Sequence, residues 1–195
     1  MDSTAGKARI RNIIDSETTA YFSDAELAEF LEMATDEFVQ QYYMGFETTQ
    51  DNRDKLQDLV ISKEQAFVDG TAVVLGTMDG SDVYGRFLSA YVKASPNVNV
   101  KVIQIGDITA YLNDPFNKAD ASNPVMYFKG GSAYSIGLSS STELVVTYLQ
   151  YTTDFTDLNA TTHEEVCQIA ARKVLATLGD PRYQMIQSEL TERRV

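Results

Sequence analysis

Two side chains capable of covalent or metal chemistry stand one helical turn apart: His163 and Cys167, the only histidine and the only cysteine in the chain. At a spacing of i, i+4 they share one face of a helix. There a Cys/His dyad could activate a thiol, or the pair could seed a metal site. A zinc site takes three or four protein ligands, and no second histidine or cysteine exists to complete one. His163 falls in the first turn of its helix and reads as an ordinary polar residue there. Lys129-Gly130-Gly131-Ser132 has neither the Gly-Lys-Ser/Thr nor the GxGxxG spacing of a phosphate loop and reads as a hairpin turn. Asp154 and Asp157 are near neighbours, as are Glu164 and Glu165. Acid–base pairs and Mg²⁺ sites draw on carboxylates converging from distant segments, and nothing in the spacing points to one. The expectation is a chain that is not an enzyme and that holds no cofactor or metal.

The charge points the same way. The chain carries 28 acidic and 16 basic residues, a formal net charge of −12. Its cations are scattered apart from the pairs Arg9/Arg11, Arg172/Lys173 and Arg193/Arg194. Without a basic stripe there is little to drive counterion release, which argues against tight binding of nucleic acid. The same charge suits a surface that nucleic acid passes without sticking, and equally a need for solubility. A single cysteine excludes an intrachain disulfide framework and suits a reducing compartment. Met1-Asp2-Ser3-Thr4 lacks the charged and apolar regions of a signal peptide, and no apolar run approaches the ~20 residues of a membrane span. Eleven tyrosines against no tryptophan supply amphipathic rings of the kind enriched at protein interfaces, although core packing is the commoner role for any one of them.

The elements that would position these groups read as α+β. Residues 6–15 offer a short helix with Ile10, Ile13 and Ile14 on one face. Ser23-Asp24-Ala25-Glu26 is a capping box that opens a helical stripe of Leu27, Phe30, Leu31, Ala34, Phe38 and Val39, with Gly45 as its stop. A further helical piece covers Asp51–Leu59. From Ser62 the texture changes: Ala66–Val68 and Ala72–Leu75 are β-prone around Asp69-Gly70. Val83–Val92 fits strand or helix, and Asn97–Gln104 alternates with Val98, Val100 and Val102 on one face. Asp107 could cap a brief helix, Ile108–Leu112. Val125–Phe128, Ala133–Ile136 and Glu143–Tyr151 follow in close succession and read as an antiparallel meander. Thr162-His163-Glu164-Glu165 reads as a second capping box, opening a helix with Val166, Ile169, Ala170, Val174, Leu175 and Leu178 buried and Gly179 at its end. Asp180-Pro181 restarts a helix. The predicted architecture is a helical bundle from the N- and C-terminal helices (residues 1–61 and 159–195) with a central antiparallel β-rich insertion (62–158).

This order of elements resembles the head-to-tail adaptor, or connector, proteins of tailed bacteriophages, especially short-tailed and crAss-like ones. The Ser23-Asp-Ala-Glu-Leu-Ala-Glu-Phe-Leu helix with Asp54-Lys-Leu-Gln-Asp-Leu-Val60 is similar to the family's first helical pair. Ile108-Thr-Ala-Tyr-Leu-Asn-Asp-Pro-Phe116, Asn123-Pro-Val-Met-Tyr-Phe128 and Leu144-Val-Val-Thr-Tyr-Leu149 resemble its insertion. There a short helix, a proline-bearing loop and a meander recur, ending in a Tyr-Ile-Arg-x-Pro-like strand. In this chain that ending is Tyr148-Leu149-Gln150-Tyr151, without the Arg and Pro. His163-Glu-Glu-Val-Cys-Gln-Ile-Ala-Ala-Arg172, Leu178-Gly-Asp180 and Arg182-Tyr-Gln-Met-Ile-Gln187 look like its closing helices.

The resemblance implies a non-enzymatic virion protein, assembled in the host cytoplasm into a ring of about twelve copies beneath the portal protein. A further tail or ring component would sit below it, and DNA would pass through the bore without sequence-specific binding. A ring needs a heterologous contact between unlike faces of neighbouring copies. On this reading the contact falls on the helical bundle at Leu27, Phe30, Phe38, Tyr42, Val166 and Arg172. The turns at Lys129-Gly130 and Ser139-Ser140 reach toward the lumen or the tail, and the polar C-terminal segment with Gln184, Gln187, Arg193 and Arg194 docks on the portal. The alternative is another structural component of the tail or head completion, such as a tail-tube or stopper protein.

Overall fold

A computed structural model describes residues 1–14, 22–75, 84–94, 97–113, 115–116, 118–138 and 142–192. The chain divides into two compact units, residues 1–59 with 152–195 and residues 60–151. The class is α+β, with helices from both ends of the sequence flanking a strand-rich middle. Among the described residues no helix is long and apolar enough to cross a membrane.

The helical unit opens with α1 (Ser3–Ile13), begun by the Asp2 carboxylate accepting from the Ala5 amide at 2.7 Å. The helix therefore starts three residues before the predicted boundary. α2 (Asp24–Tyr43) starts at the predicted capping box: the Ser23 hydroxyl accepts from the Glu26 amide, and the Glu26 carboxylate accepts from the Ser23 amide. Leu27, Leu31, Ala34, Phe38 and Val39 are all buried along one side, as a 3.6-residue period requires. α3 (Gln50–Leu56) runs into a single 3₁₀ turn at Gln57–Leu59 that buries Leu59. After the strand-rich unit, which holds α4 (Ile108–Asn113), come α5 (His163–Leu178) and α6 (Arg182–Glu192). Gly179 closes α5 at φ 70°, the left-handed conformation a side chain resists, and the Asp180 amide reaches back to the Leu175 carbonyl. α6 packs inward through Ile186 and Leu190, both buried.

The predicted box at the start of α5 does not form. Thr162 lies near the helical conformation and makes no side-chain cap; its hydroxyl donates to the Asn159 carbonyl at 2.7 Å. Glu165, placed by the sequence as the reciprocal capping residue, points into the unit instead.

Among its described residues the strand-rich unit holds two four-stranded sheets. β1 (Val60–Phe67), β8 (Thr142–Gln150), β3 (Tyr84–Val92) and β4 (Val98–Asn99) form one in the order β1-β8-β3-β4. The other runs β2 (Val73–Val74), β7 (Ser132–Ile136), β6 (Val125–Lys129), β5 (Lys101–Val102). The predicted meander is thus corrected. β6 and β7 pair as a hairpin through Lys129↔Ser132, but β8 leaves them and inserts between β1 and β3. Its composition explains the move: Leu144, Val145, Val146, Tyr148 and Leu149 are all buried, so both faces need cover, which suits a central strand. The predicted strand over 97–104 is likewise two short pieces. β4 pairs with β3, β5 pairs parallel with β6, and the chain steps between sheets at Val100, whose amide donates to the Ala90 carbonyl at 2.9 Å. Phe67, Met126, Leu144, Val146 and Tyr148 make the main core of this unit. A 3₁₀ turn at Ile105–Asp107 leads into α4 (Ile108–Asn113), whose Ile108 and Tyr111 lean on a smaller cluster of Ile103, Ala119 and Val125.

Candidate functional site

The residues with the most chemical potential are built into the helical unit. His163 is buried with its ring 4.2 Å from that of Phe155. Its Nε2 faces the Leu158 carbonyl at 3.0 Å, and Nδ1 stands 2.9 Å from the Met1 ammonium. A carbonyl only accepts and an ammonium only donates, so this setting selects the neutral Nε2–H tautomer. Burial, with the neighbouring ammonium, holds the ring's pKa below its ordinary value. Cys167 is fully buried with Sγ 3.8 Å from the Gly6 carbonyl. Burial, with the charge of Glu164, pushes its thiol up to about 12, far from a reactive thiolate. Among the described residues no three of His, Cys, Asp and Glu stand close enough to hold a metal ion.

A second polar cluster was not foreseen. Tyr42 on α2 donates its hydroxyl to Glu165 Oε1 at 2.5 Å. Lys55 on α3 donates to the Tyr42 hydroxyl at 2.9 Å and stands 3.4 Å from Glu165 Oε2, with Asp51 at 3.2 Å on its outer side. Burial and the Glu165 hydrogen bond raise the Tyr42 pKa. Burial alone would lower that of Lys55, but the hydrogen bond to Tyr42 and the charge of Glu165 outweigh it and the pKa rises. The ammonium is therefore held charged, and the cluster ties α2, α3 and α5 together. Further along, Glu37 takes Arg172 at 2.5 Å and Lys173 at 2.6 Å. These two cations overcome the effect of burial and hold its carboxyl below the usual range. Arg172 also donates to Gln187 on α6.

These contacts revise the predicted protomer interface. Leu27, Phe38, Tyr42 and Val166 are buried within their own chain, and Arg172 is engaged by Glu37 and Gln187. The apolar stripes of α2 and α5 cover each other, so these side chains offer nothing to a neighbouring copy. Phe30 is half-buried, edge-on to Phe22 with ring centroids 5.6 Å apart. Lys129 and Gly130 lie exposed at the β6–β7 turn, with Gly130 at φ 58° and Gly131 at φ 75°, the pair of left-handed residues a type I′ hairpin needs. Gln184 is exposed and Gln187 half-buried on α6. Ser139, Ser140, Arg193 and Arg194 lie outside the described residues.

What remains for recognition is the surface, and it is uneven. The helical unit contains 20 acidic and 10 basic residues, net −10; the strand-rich unit contains 8 and 6, net −2. α2 alone carries six carboxylates and no cation. In the strand-rich unit, one stretch exposes four apolar side chains: Val102 (41% exposed), Ile105 (52%), Leu112 (47%) and Phe116 (91%). α4 buries none of its residues. Spacing did not mark this stretch: Ile105, Ile108 and Leu112 stand at i, i+3 and i+7 and share one helix side, yet Ile108 packs against Ile103 and Val125 while Ile105 and Leu112 are exposed. No protein-family model matches the chain, and no curated protein is significantly similar to it.

Proposed function

We propose that this chain is a structural virion protein: a ring-forming adaptor of about twelve copies that joins the portal of a tailed bacteriophage to its tail and surrounds the passing DNA. The observation that carries the reading is the arrangement of elements. Helices from both ends of the sequence build one unit, and a strand-rich insertion forms the other, the order on which the resemblance to connector proteins rests. The fate of the reactive side chains supports it. The sole histidine and sole cysteine sit in the core, one held neutral and the other protonated, where they serve packing. The acidic helical unit suits proximity to DNA in motion, because phosphate is repelled where a basic wall would hold it through counterion release. With nearly half of its described residues helical, the chain fits an adaptor better than a tail-tube component, which draws mainly on strands.

Native mass spectrometry of the purified chain, alone and mixed with a portal ring, tests the proposal. One closed multi-copy species on the portal is the expected result. Stoichiometric capture or turnover of a small metabolite by the isolated chain would refute it.

A further inference from the structure

We infer that copies of this chain meet one another through the strand-rich unit, at the exposed apolar ridge of Val102, Ile105, Leu112 and Phe116, and not through the helical unit. The inference rests on the ring reading and adds where the ring contact lies.

Charge selects the occupant. Copies of a chain bearing −12 repel one another, and the repulsion is smallest where the facing surfaces are nearly neutral. Ten of those twelve charges belong to the helical unit. Residues 101–118, which hold the ridge, carry two lysines and two aspartates and are net neutral. A basic partner would be drawn to α2 and its six carboxylates; the neutral ridge is the surface on which a second acidic copy meets least resistance.

Area agrees. Summed, the four exposed side chains present roughly 400 Å² of apolar surface, the size of the largest apolar patch on a typical single chain, which is often a functional surface. A standard interface covers about 800 Å² on each partner, a little over half of it apolar, so the ridge supplies most of the apolar share of one face. Ile108 and Tyr111 lean inward onto Ile103 and Val125, which fixes the ridge to its sheet.

The test is sedimentation velocity on the full chain, from micromolar to several hundred micromolar, at low and high salt, alone and with a portal ring. Wild type is expected to associate more strongly at high salt, because screening shortens the reach of the repulsion. The double variant I105D/L112D places charge on side chains already half exposed, so circular dichroism should match wild type. It is expected to lose at least about tenfold in association. The control E29Q/E32Q, on the outer side of α2, is expected to associate at least as well as wild type. Rings that form equally well with I105D/L112D would overturn this inference and leave the ring reading standing. Closed dimers abolished by I105D/L112D would keep the ridge and sink the ring. A chain that never self-associates, alone or on the portal, overturns both.

Discussion

Removing the Glu165 carboxylate is the most informative single change to the fold. In Glu165→Ala the Tyr42 hydroxyl loses its acceptor at 2.5 Å and Lys55 loses a counter-charge at 3.4 Å, both in a largely buried setting. Breaking a buried ion pair from one side costs about 3–5 kcal/mol, since the remaining charge stays desolvated. Two features reduce that here: Lys55 keeps Asp51 at 3.2 Å, and its side chain is 19% exposed. The expected cost is therefore about 2–3 kcal/mol. Tyr42→Phe removes only the hydroxyl and leaves Glu165 facing Lys55, so its cost is about 1 kcal/mol. Glu165→Gln retains an acceptor for Tyr42 and falls between the two. For a unit of this size 2–3 kcal/mol lowers Tm by roughly 10–20 °C. Denaturant unfolding followed by circular dichroism at 222 nm, which the helical unit dominates, gives the order directly. A Glu165→Ala chain within about 0.5 kcal/mol of wild type, or Tyr42→Phe costing more than Glu165→Ala, would refute the reasoning.

Three other outcomes are expected. Cys167 should resist thiol reagents in the native state and label only at the rate of unfolding; fast labelling at pH 8 would show that its burial is wrong. Gly137→Ala should cost about 2 kcal/mol or more, because Gly137 sits at φ 97° and a Cβ there would lie 2.6 Å from the Asp120 amide nitrogen; a silent substitution in thermal unfolding would contradict that geometry. His163 should make stability fall with acid. Its folded pKa lies below that of the unfolded chain, so the unfolded state binds the proton first as pH drops below about 6.5. The loss should level off once pH passes below the folded pKa. Chemical denaturation at a series of pH values should show a flatter profile across that window for His163→Gln than for wild type.

Local signals were legible in the sequence, and choices of partner were not. The Ser23/Glu26 box and the Gly179 stop could be read because each is decided within four residues of chain. Thr162/Glu165 has the same spacing, yet Glu165 is drawn inward by Tyr42, 123 residues away in sequence, and no local pattern reports that. The run from Glu143 to Tyr151 was recognisable as a strand, but its removal from β6 and β7 to a place between β1 and β3 depends on which sheet covers its second face. The stripe of Leu27, Phe38 and Val166 illustrates the same limit for the site. Periodicity shows that a helix face is covered without showing whether its own chain or a neighbour covers it.

Electron microscopy of the chain assembled on a portal ring tests the central claim most directly. End-on views should show identical copies side by side around an open bore wide enough for duplex DNA, joined through their strand-rich units. Particles without an axial opening, or a chain that stays single on a saturating excess of portal, would contradict it.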